Sequence, residues 1–191
     1  MMSEMESDEH VIQLRTPLQE ADVLALHVGD QVLLSGGIYT ARDAAHKRLS
    51  EALDAGQALP IPLEGQVIYY VGPAPTRPGQ IIGPAGPTTA GRVDFYTPQL
   101  LAHGLRGMIG KGKRSADVRR AITTHRAVYF VMVGGAAALI AKHITKVDVV
   151  AYADLDTEAI HRFELDGLRM IVANDAYGAD LFEQGQARYR R

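Results

Sequence analysis

Three basic residues of this 191-residue chain stand in settings that favour the binding of an anion. Arg42 lies in the first turn of a predicted helix, where the helix dipole disfavours a cation but free backbone N–H groups attract an anion. Arg92 directly follows a loop rich in glycine and threonine, and Lys111 lies between two glycines that allow a close backbone approach. Because guanidinium groups match carboxylates in bidentate fashion, two arginines and a lysine would suit a small dicarboxylate.

Two threonines, Thr88 and Thr89, lie in the loop "GPAGPTTAGR". Threonine hydroxyls in turns usually bond the nearby backbone, and that is the structural interpretation of this pair. A hydroxyl can take part in proton transfer only where its neighbours lower its pKa strongly, as adjacent cations in a dry pocket would do. We therefore predict a catalytic role for Thr88 on the condition that the three cations converge on it.

Each cation also has a purely structural interpretation. Arg42 would then be an exposed arginine paired with Asp43 or another carboxylate, and Arg92 would pair with Asp94 to hold the loop. Lys111 would belong to a flexible basic turn. The sequence leaves both interpretations of each residue open.

No metal site is predicted in this chain, since its seven histidines show no metal-ligand spacing. His46 lies one turn after Arg42 on the same helix face, which indicates a supporting role. The chain has no cysteine, so it cannot supply thiolate ligands to an iron–sulfur cluster. If the chemistry needs such a cluster, another chain must hold it.

The elements that must position these residues alternate between strand and helix, which predicts a single α/β domain over residues 11–191. Residues 1–10 are acidic and are predicted to form a disordered head. Residues 72–91 are predicted to be a long loop, in which Ile81 and Ile82 form a short strand. Strands are predicted at 30–36, 66–72 and 127–133 and within "VDVVAY" and "RMIVAND". One helix is predicted from an N-cap at Thr40 to a stop at Gly56. Three further helices are predicted after Thr97 as N-cap, after Ser115 as N-cap and within "GGAAALIAKHI".

The composition argues against several classes of protein. The net charge is −2, and the basic run "KGKRSADVRR" has no aromatic residues beside it, which makes nucleic-acid binding a poor interpretation. No stretch approaches the ~20 apolar residues of a membrane span, and the acidic N-terminus is unlike a secretory signal. We therefore expect a cytoplasmic protein without a membrane or nucleic-acid partner.

Six motifs give the chain a resemblance to the iron–sulfur hydro-lyases, specifically to the β subunit or C-terminal domain of class I fumarate hydratases and their L-tartrate dehydratase relatives. The resemblance runs from about Leu14 to about Gly185, and "TARDAAH", "GPTTAGR" and "GKGKRS" are together quite specific. The motifs, in order, are "GDQVLLSGGIYTARDAAHKR", "YYVGPAP", "IIGPAGPTTAGRVDFYTPQLL", "GMIGKGKRS", "VYFVMVGGAAALIA" and "VVAYADLDTEAI".

The resemblance implies a swivelling three-layer β/β/α domain that closes over a cluster-bearing partner. That partner is an α subunit whose cysteines hold a [4Fe–4S] cluster, in a hetero-oligomer such as α2β2. The implied reaction is the reversible hydration of a double bond in a dicarboxylate, with one cluster iron as Lewis acid. The intact "TTAGR" favours fumarate over tartrate, because tartrate-type relatives tend to vary there.

The resemblance also implies roles for individual residues. Arg42, in "TARDAAH", would contact a substrate carboxylate, as would Arg92 in "GPTTAGR". Lys111, the first lysine of "GKGKRS", would be a further substrate-facing cation. Thr88 would be the base that exchanges the carbon-bound proton, while His46 and Thr89 would support the site.

The main alternative to a hydro-lyase is a non-catalytic module that binds an anionic metabolite or partner through the same three cations. The two hypotheses differ over Thr88, which is essential for catalysis and dispensable for simple binding. Both depend on Arg42, Arg92 and Lys111 lying near one another in the folded chain.

Overall fold

A computed structural model describes residues 11–132 and 136–190. The predicted acidic head at 1–10 therefore lies outside the described residues. So do Val133, the last residue of the predicted strand at 127–133, and the two glycines of the predicted turn that follows it.

Seven strands and six α-helices alternate along the described chain, which confirms the predicted α/β class. The strands are β1 (Val11–Arg15), β2 (Gln31–Thr40), β3 (Val67–Tyr69), β4 (Gly107–Gly110), β5 (Val128–Val131), β6 (Ile144–Ala151) and β7 (Ile160–Asn174). The helices are α1 (Glu20–Leu24), α2 (Asp43–Asp54), α3 (Thr97–Ala102), α4 (Ala116–Thr124), α5 (Ala137–Ala141) and α6 (Leu181–Tyr189). Two 3₁₀ segments, Ala90–Val93 and Ala153–Glu158, complete the fold.

The strands form one sheet in the order β1-β2-β3-β4-β5-β7-β6. Neighbours from β1 to β5 are parallel, whereas β7 runs antiparallel to β5, β6 and β2. The pairing of β7 with β2 as well as β5 closes a circuit of five strands. The sheet is thus curled on itself, and the carboxyl ends of its parallel strands share one edge.

Successive side chains of a strand point to opposite faces, and the sheet therefore has two cores. In β3, Val67 and Tyr69 belong to the core enclosed by the curled sheet, whereas Ile68 belongs to the second core. The second core lies beneath helices α2, α3 and α4, which contribute Leu49, Leu100, Val118 and other buried residues. Helices α2, α3 and α4 therefore cover the face of the sheet that carries the second core.

The predicted N-cap at Thr40 is wrong, because β2 continues through this residue. Thr40 is fully buried, and its hydroxyl accepts a hydrogen bond from the His161 N–H at 2.9 Å. Arg42 takes the N-cap position of α2, without a side-chain cap, and Gly56 lies just beyond the helix as predicted. A threonine that ends a strand and one that begins a helix look alike in sequence.

Other details also differ from expectation. Residues 72–88 form the predicted loop, but Ile81 and Ile82 do not form a strand within it. Thr97 is the first residue of α3 rather than its N-cap, which is Tyr96. Ser115 does cap α4, where its hydroxyl accepts a hydrogen bond from the Val118 N–H at 3.3 Å.

Across the described residues, no helix has both the length and the apolar character needed to cross a membrane.

Candidate active site

The residues of interest gather where β2, β3 and β4 end. Arg42 lies two residues after β2, and Lys111 directly follows β4. Between them in the sheet, the chain leaving β3 passes through Tyr70 and Gly72. The carboxyl ends of parallel strands are a common location for ligand sites, because loops there are displayed on a rigid frame.

Thr88 is held against this edge by the backbone of both neighbouring strands. Its N–H and its hydroxyl both donate to the Tyr70 carbonyl at 2.8 Å. The Lys111 N–H donates to the Thr88 carbonyl at 3.1 Å, and the Ala90 N–H donates to the Lys111 carbonyl at 2.9 Å. The loop thus runs beside the end of β4 as an additional short strand, with Thr89 opposite Lys111.

A glycine makes this close approach possible, as the spacing of "IGKGKRS" predicts. A Cβ atom on Gly110 would lie 2.8 Å from Cδ2 of Tyr70 and 3.2 Å from Cβ of Ala90. A larger residue would collide with the Tyr70 ring and would press against Ala90, which follows the loop that carries Thr88. The glycine before Lys111 therefore fixes the distance between two predicted site residues.

Arg42 is half-buried and pairs with a carboxylate distant in sequence rather than with Asp43. Its Nη2 atom lies 3.5 Å from Oε1 of Glu158. Oε2 of the same carboxylate accepts a hydrogen bond from the Ala44 N–H at 3.0 Å, in the first turn of α2. Nε of Arg42 is buried and has no hydrogen-bond partner within the described residues.

Arg92 joins the same region through Asp43. Its Nε atom lies 3.2 Å from Oδ1 of Asp43, the residue that follows Arg42. The predicted structural partner, Asp94, is paired with Arg114 instead. The Arg92 side chain is 60% exposed, so this ion pair is weak and leaves the guanidinium accessible to another carboxylate.

Lys111 and Thr89 are both exposed. The Lys111 ammonium makes no ion pair within 4 Å among residues 11–132 and 136–190. Backbone bonds thus place Lys111 beside Thr88, and Asp43 connects Arg92 to the start of the Arg42 helix. The hydroxyl of Thr88 bonds only the Tyr70 carbonyl in the described part of the chain, so it makes no hydrogen bond with any of the three cations.

His46 is buried beside this edge, one turn after Arg42. Its Nδ1 atom lies 2.9 Å from the Arg42 carbonyl oxygen, which can only accept, so Nδ1 carries the proton. Its ring makes an edge contact with Tyr70, with centroids 5.3 Å apart. Burial lowers the pKa of His46 to about 4, although the Arg42 carbonyl acts in the opposite direction. The imidazole is therefore neutral at pH 7 and supports the helix–strand corner.

The strongest polar network at the site surrounds Arg114, which the sequence analysis did not single out. Its side chain is fully buried and its Nε atom lies 2.7 Å from Oδ1 of Asp94. Its other nitrogens donate to the Tyr70 hydroxyl at 3.1 Å and the Thr97 hydroxyl at 2.9 Å. The guanidinium also lies over the ring of Tyr129, 4.8 Å from its centroid.

Arg114 remains charged in this setting. Burial works against the charged form, but Tyr70, Asp94 and Tyr129 outweigh it and raise the pKa of the guanidinium above its ordinary value. Asp94 also accepts a hydrogen bond from the Ser115 N–H at 2.6 Å. The network thus joins the loop that carries Thr88 and Arg92 to the loop that carries Lys111. No local pattern reveals it, because the partners come from separate parts of the chain.

An apolar cavity lies elsewhere in the described chain. It has a volume of about 230 Å³ and lies between α5 and the sheet, lined by Val131, Leu139, Ile140 and Met170 among others. None of the predicted site residues lines it. The candidate site is an open edge rather than an enclosed cavity.

Replacement of Arg114 by methionine should lower the free energy of unfolding by about 3–5 kcal/mol, because it leaves the Asp94 carboxylate without its cation. Urea denaturation of the isolated chain measures this loss. Arg120→Met is the matched control, since Arg120 pairs with Asp117 on the exposed face of α4 and should contribute less than about 1 kcal/mol. Equal losses of unfolding free energy in the two variants would show that the buried Arg114–Asp94 pair contributes no more than an exposed ion pair.

The buried His46 should make the stability of the chain depend on pH. Its pKa rises from about 4 in the folded chain to 6.5 on unfolding, so the unfolded state binds the proton more tightly. The native state should therefore lose up to about 3 kcal/mol as the pH falls from 6.5 to 4, and His46→Asn should flatten that part of the profile. Urea denaturation between pH 4 and 7 measures it.

His103→Asn is the matched control for His46. His103 makes the same bond to the carbonyl four residues earlier, at 2.8 Å, but it is exposed. Its replacement should leave the slope between pH 6.5 and 4 unchanged. A wild-type slope retained in His46→Asn would show that His46 is not the group responsible.

Comparison with known proteins shows the family to which this chain belongs. The family described as "Fumarase C-terminus" matches residues 1–185. The class I anaerobic fumarate hydratase of Escherichia coli K12 is 38% identical over 177 residues, which cover 91% of this chain and 32% of the relative. Fumarate hydratase 2 of Leishmania major is 37% identical over 82% of this chain and 28% of its own length.

A relative of similar length also matches. The putative L(+)-tartrate dehydratase subunit beta of Methanocaldococcus jannaschii is 32% identical over 173 residues, which cover 87% of this chain and 89% of that subunit. In contrast, the chain spans about a third of the length of the Escherichia coli fumarate hydratases. Since the family match extends over nearly the whole sequence, this chain belongs to the Fumarase C-terminus family.

Proposed function

We propose that this chain is the β subunit of an iron–sulfur-dependent hydro-lyase, a fumarate hydratase that converts fumarate reversibly to L-malate. In this proposal Arg42, Arg92 and Lys111 bind the substrate carboxylates, and Thr88 exchanges the carbon-bound proton. The observation that carries the proposal is the meeting of these four residues at one edge of the sheet, supported by the family relationship.

The contacts of the two arginines support a dicarboxylate as the substrate. Arg42 and Arg92 each lie within 4 Å of a carboxylate of the protein itself, so both guanidinium groups are already oriented towards this chemistry. Lys111, whose N–H bonds the Thr88 carbonyl, adds an exposed cation to the same edge of the sheet. A small diacid bound at this edge would have three cations available to its two carboxylates.

The same cations would stabilise the reaction as well as binding. Addition of hydroxide to one carbon of fumarate moves negative charge onto the carboxylate of the other, as an aci-carboxylate. Cations fixed in place before the reaction stabilise this charge without reorganisation. The binding residues and the transition-state-stabilising residues are therefore the same.

Thr88 would give its hydroxyl proton to carbon in hydration and take it back in dehydration. In the structure this proton is directed at the Tyr70 carbonyl, 2.8 Å away. The hydroxyl would have to rotate from this bond towards the substrate, and the surrounding cations would lower its pKa. Thr89 and His46 would support the loop and the helix corner without touching the reacting atoms.

The residues of this chain do not fit a [4Fe–4S] cluster. The chain contains no cysteine, and the described residues contain no group of three His, Cys, Asp or Glu side chains placed to hold a metal. We therefore assign the cluster to the α subunit, where it would serve as a Lewis acid. The two subunits would approach the substrate from opposite sides.

The proposal extends to the assembly. The Methanocaldococcus jannaschii relative is named a subunit beta and is covered over 89% of its length, which supports a separate α subunit. The proposed assembly is a hetero-oligomer such as α2β2, located in the cytoplasm. The curled sheet with helices over one face agrees with a three-layer β/β/α domain. Swivelling of this domain would open and close the shared site.

The second candidate is an L-tartrate dehydratase β subunit, which the same relative favours by its name and its length. Both reactions use a four-carbon diacid, so the three cations suit either substrate. The substrates differ in their hydroxyl groups, and activity is the discriminating measurement.

The test is to mix the purified chain with an α subunit reconstituted anaerobically and to follow fumarate absorbance. We expect hydration of fumarate that falls by about 10²–10⁴-fold in Thr88→Ala, because general acid–base catalysis contributes that much. Thr89→Ala is the control, since the neighbouring exposed hydroxyl should change the rate little.

Three other results would overturn the assignment in different ways. Turnover of tartrate without turnover of fumarate would transfer the chain to the dehydratase branch. Full activity of Thr88→Ala would remove Thr88 from the mechanism. Tight binding of dicarboxylate by the isolated chain, with no turnover in any mixture, would support the anion-binding module.

A further inference from the structure

We propose that Glu158 is a positioning residue that holds the Arg42 guanidinium in the orientation that binds a substrate carboxylate. This inference rests on the proposed function of the site. Glu158 ends the 3₁₀ segment Ala153–Glu158 and lies 116 positions after Arg42 in the chain, so no sequence motif connects the two.

The Glu158 carboxylate is itself anchored. Its Oε2 atom accepts a hydrogen bond from the Ala44 N–H at 3.0 Å, and this N–H belongs to the first turn of the 12-residue helix α2. A carboxylate at a helix N-terminus is stabilised both by the free N–H group and by the helix dipole. The substrate is therefore not expected to displace Glu158 from this position.

Because Oε2 of Glu158 is bonded to the Ala44 N–H, the position of Oε1 is fixed as well. Oε1 of Glu158 lies 3.5 Å from Nη2 of Arg42. The Arg42 side chain also lies against Gly72, where an added Cβ would come within 2.8 Å of Nη1 and 3.1 Å of Cδ. The guanidinium is thus restrained by contacts with Gly72 and with the Glu158 carboxylate.

This arrangement also explains an unfavourable feature of the sequence. A cation at the N-cap of a helix meets the positive end of the dipole, and Arg42 makes no capping bond with its own side chain. Glu158 supplies both the missing cap and a counter-charge. The chain can therefore keep an arginine at the corner between β2 and α2, where Nε stays buried without a hydrogen-bond partner in the described chain.

The first experiment needs no activity and uses the isolated chain. The Arg42 Nε–H signal, assigned by its loss in Arg42→Lys, is followed by ¹H–¹⁵N NMR in the wild type and in Glu158→Gln. The amide oxygen of glutamine still caps Ala44, but its charge is gone and the hold on the guanidinium is lost. We expect hydrogen exchange of this Nε–H to become at least about fivefold faster.

Asp154→Asn is the matched control. Asp154 lies in the same 3₁₀ segment and pairs with Arg48, 2.5 Å away, so its replacement removes an equivalent charge without touching Arg42. This variant should leave the Arg42 signal unchanged. An unchanged signal in Glu158→Gln as well would overturn the proposal.

The second experiment uses the complex with the α subunit. In Glu158→Gln we expect KM for fumarate to rise about tenfold and kcat to fall by a smaller factor, because a misplaced Arg42 weakens substrate binding and also stabilises the transition state less. Adding Glu158→Gln to Arg42→Lys should have little further effect, since Glu158 acts through Arg42. A lowered KM would show that Glu158 competes with the substrate and would overturn the proposal.

Failure of the proposed function gives a different result. If the wild-type complex hydrates no dicarboxylate, the hydro-lyase assignment fails, whereas the exchange rate of the Arg42 signal still decides whether Glu158 positions Arg42. A purely structural role for Glu158 predicts a lower stability with unchanged KM. Urea denaturation of Glu158→Gln, in which the cap of α2 is retained, separates that outcome from the expected one.

Discussion

The buried ion pair between Arg114 and Asp94 is the interaction on which the candidate site depends. A guanidinium without solvent contact is costly unless every donor finds a partner, and this one has a carboxylate, two hydroxyls and aromatic faces around it. Asp94 follows the "TTAGR" loop and Arg114 follows Lys111, so a single network sets the spacing of two loops. The buried pair thus holds in place two loops whose own residues, such as Arg92 and Lys111, are exposed.

Outside this network, the charges of the site are balanced by weaker pairs. Arg42 faces Glu158 and Arg92 faces Asp43, in partly exposed settings where an ion pair contributes little to stability. Such pairs keep the cations oriented while leaving them available to a ligand. Buried charge therefore provides rigidity, and in the proposed function exposed charge provides recognition. The open edge on which these cations lie agrees with a site that a second protein completes.

The sequence predicted the parts of this arrangement that are local. Ser115 as an N-cap, Gly56 as a helix stop and the close approach beside Lys111 follow from single residues and their neighbours. Strand β4 was not predicted, because four residues with a glycine at each end give no periodic signal. Glu158 and Arg114 were missed as well, since their partners come from distant segments. The clustering of Arg42, Thr88 and Lys111 became evident only from the parallel order of the strands.

The most direct test of this account is a crystal structure of the chain with its α subunit and succinate, a dicarboxylate that has no double bond to hydrate. The account predicts that the two carboxylates contact Arg42, Arg92 and Lys111 at about 2.7–3.2 Å and that Oγ of Thr88 faces a carbon between them. Succinate bound elsewhere in the complex, with these cations still facing only their internal partners, would contradict it.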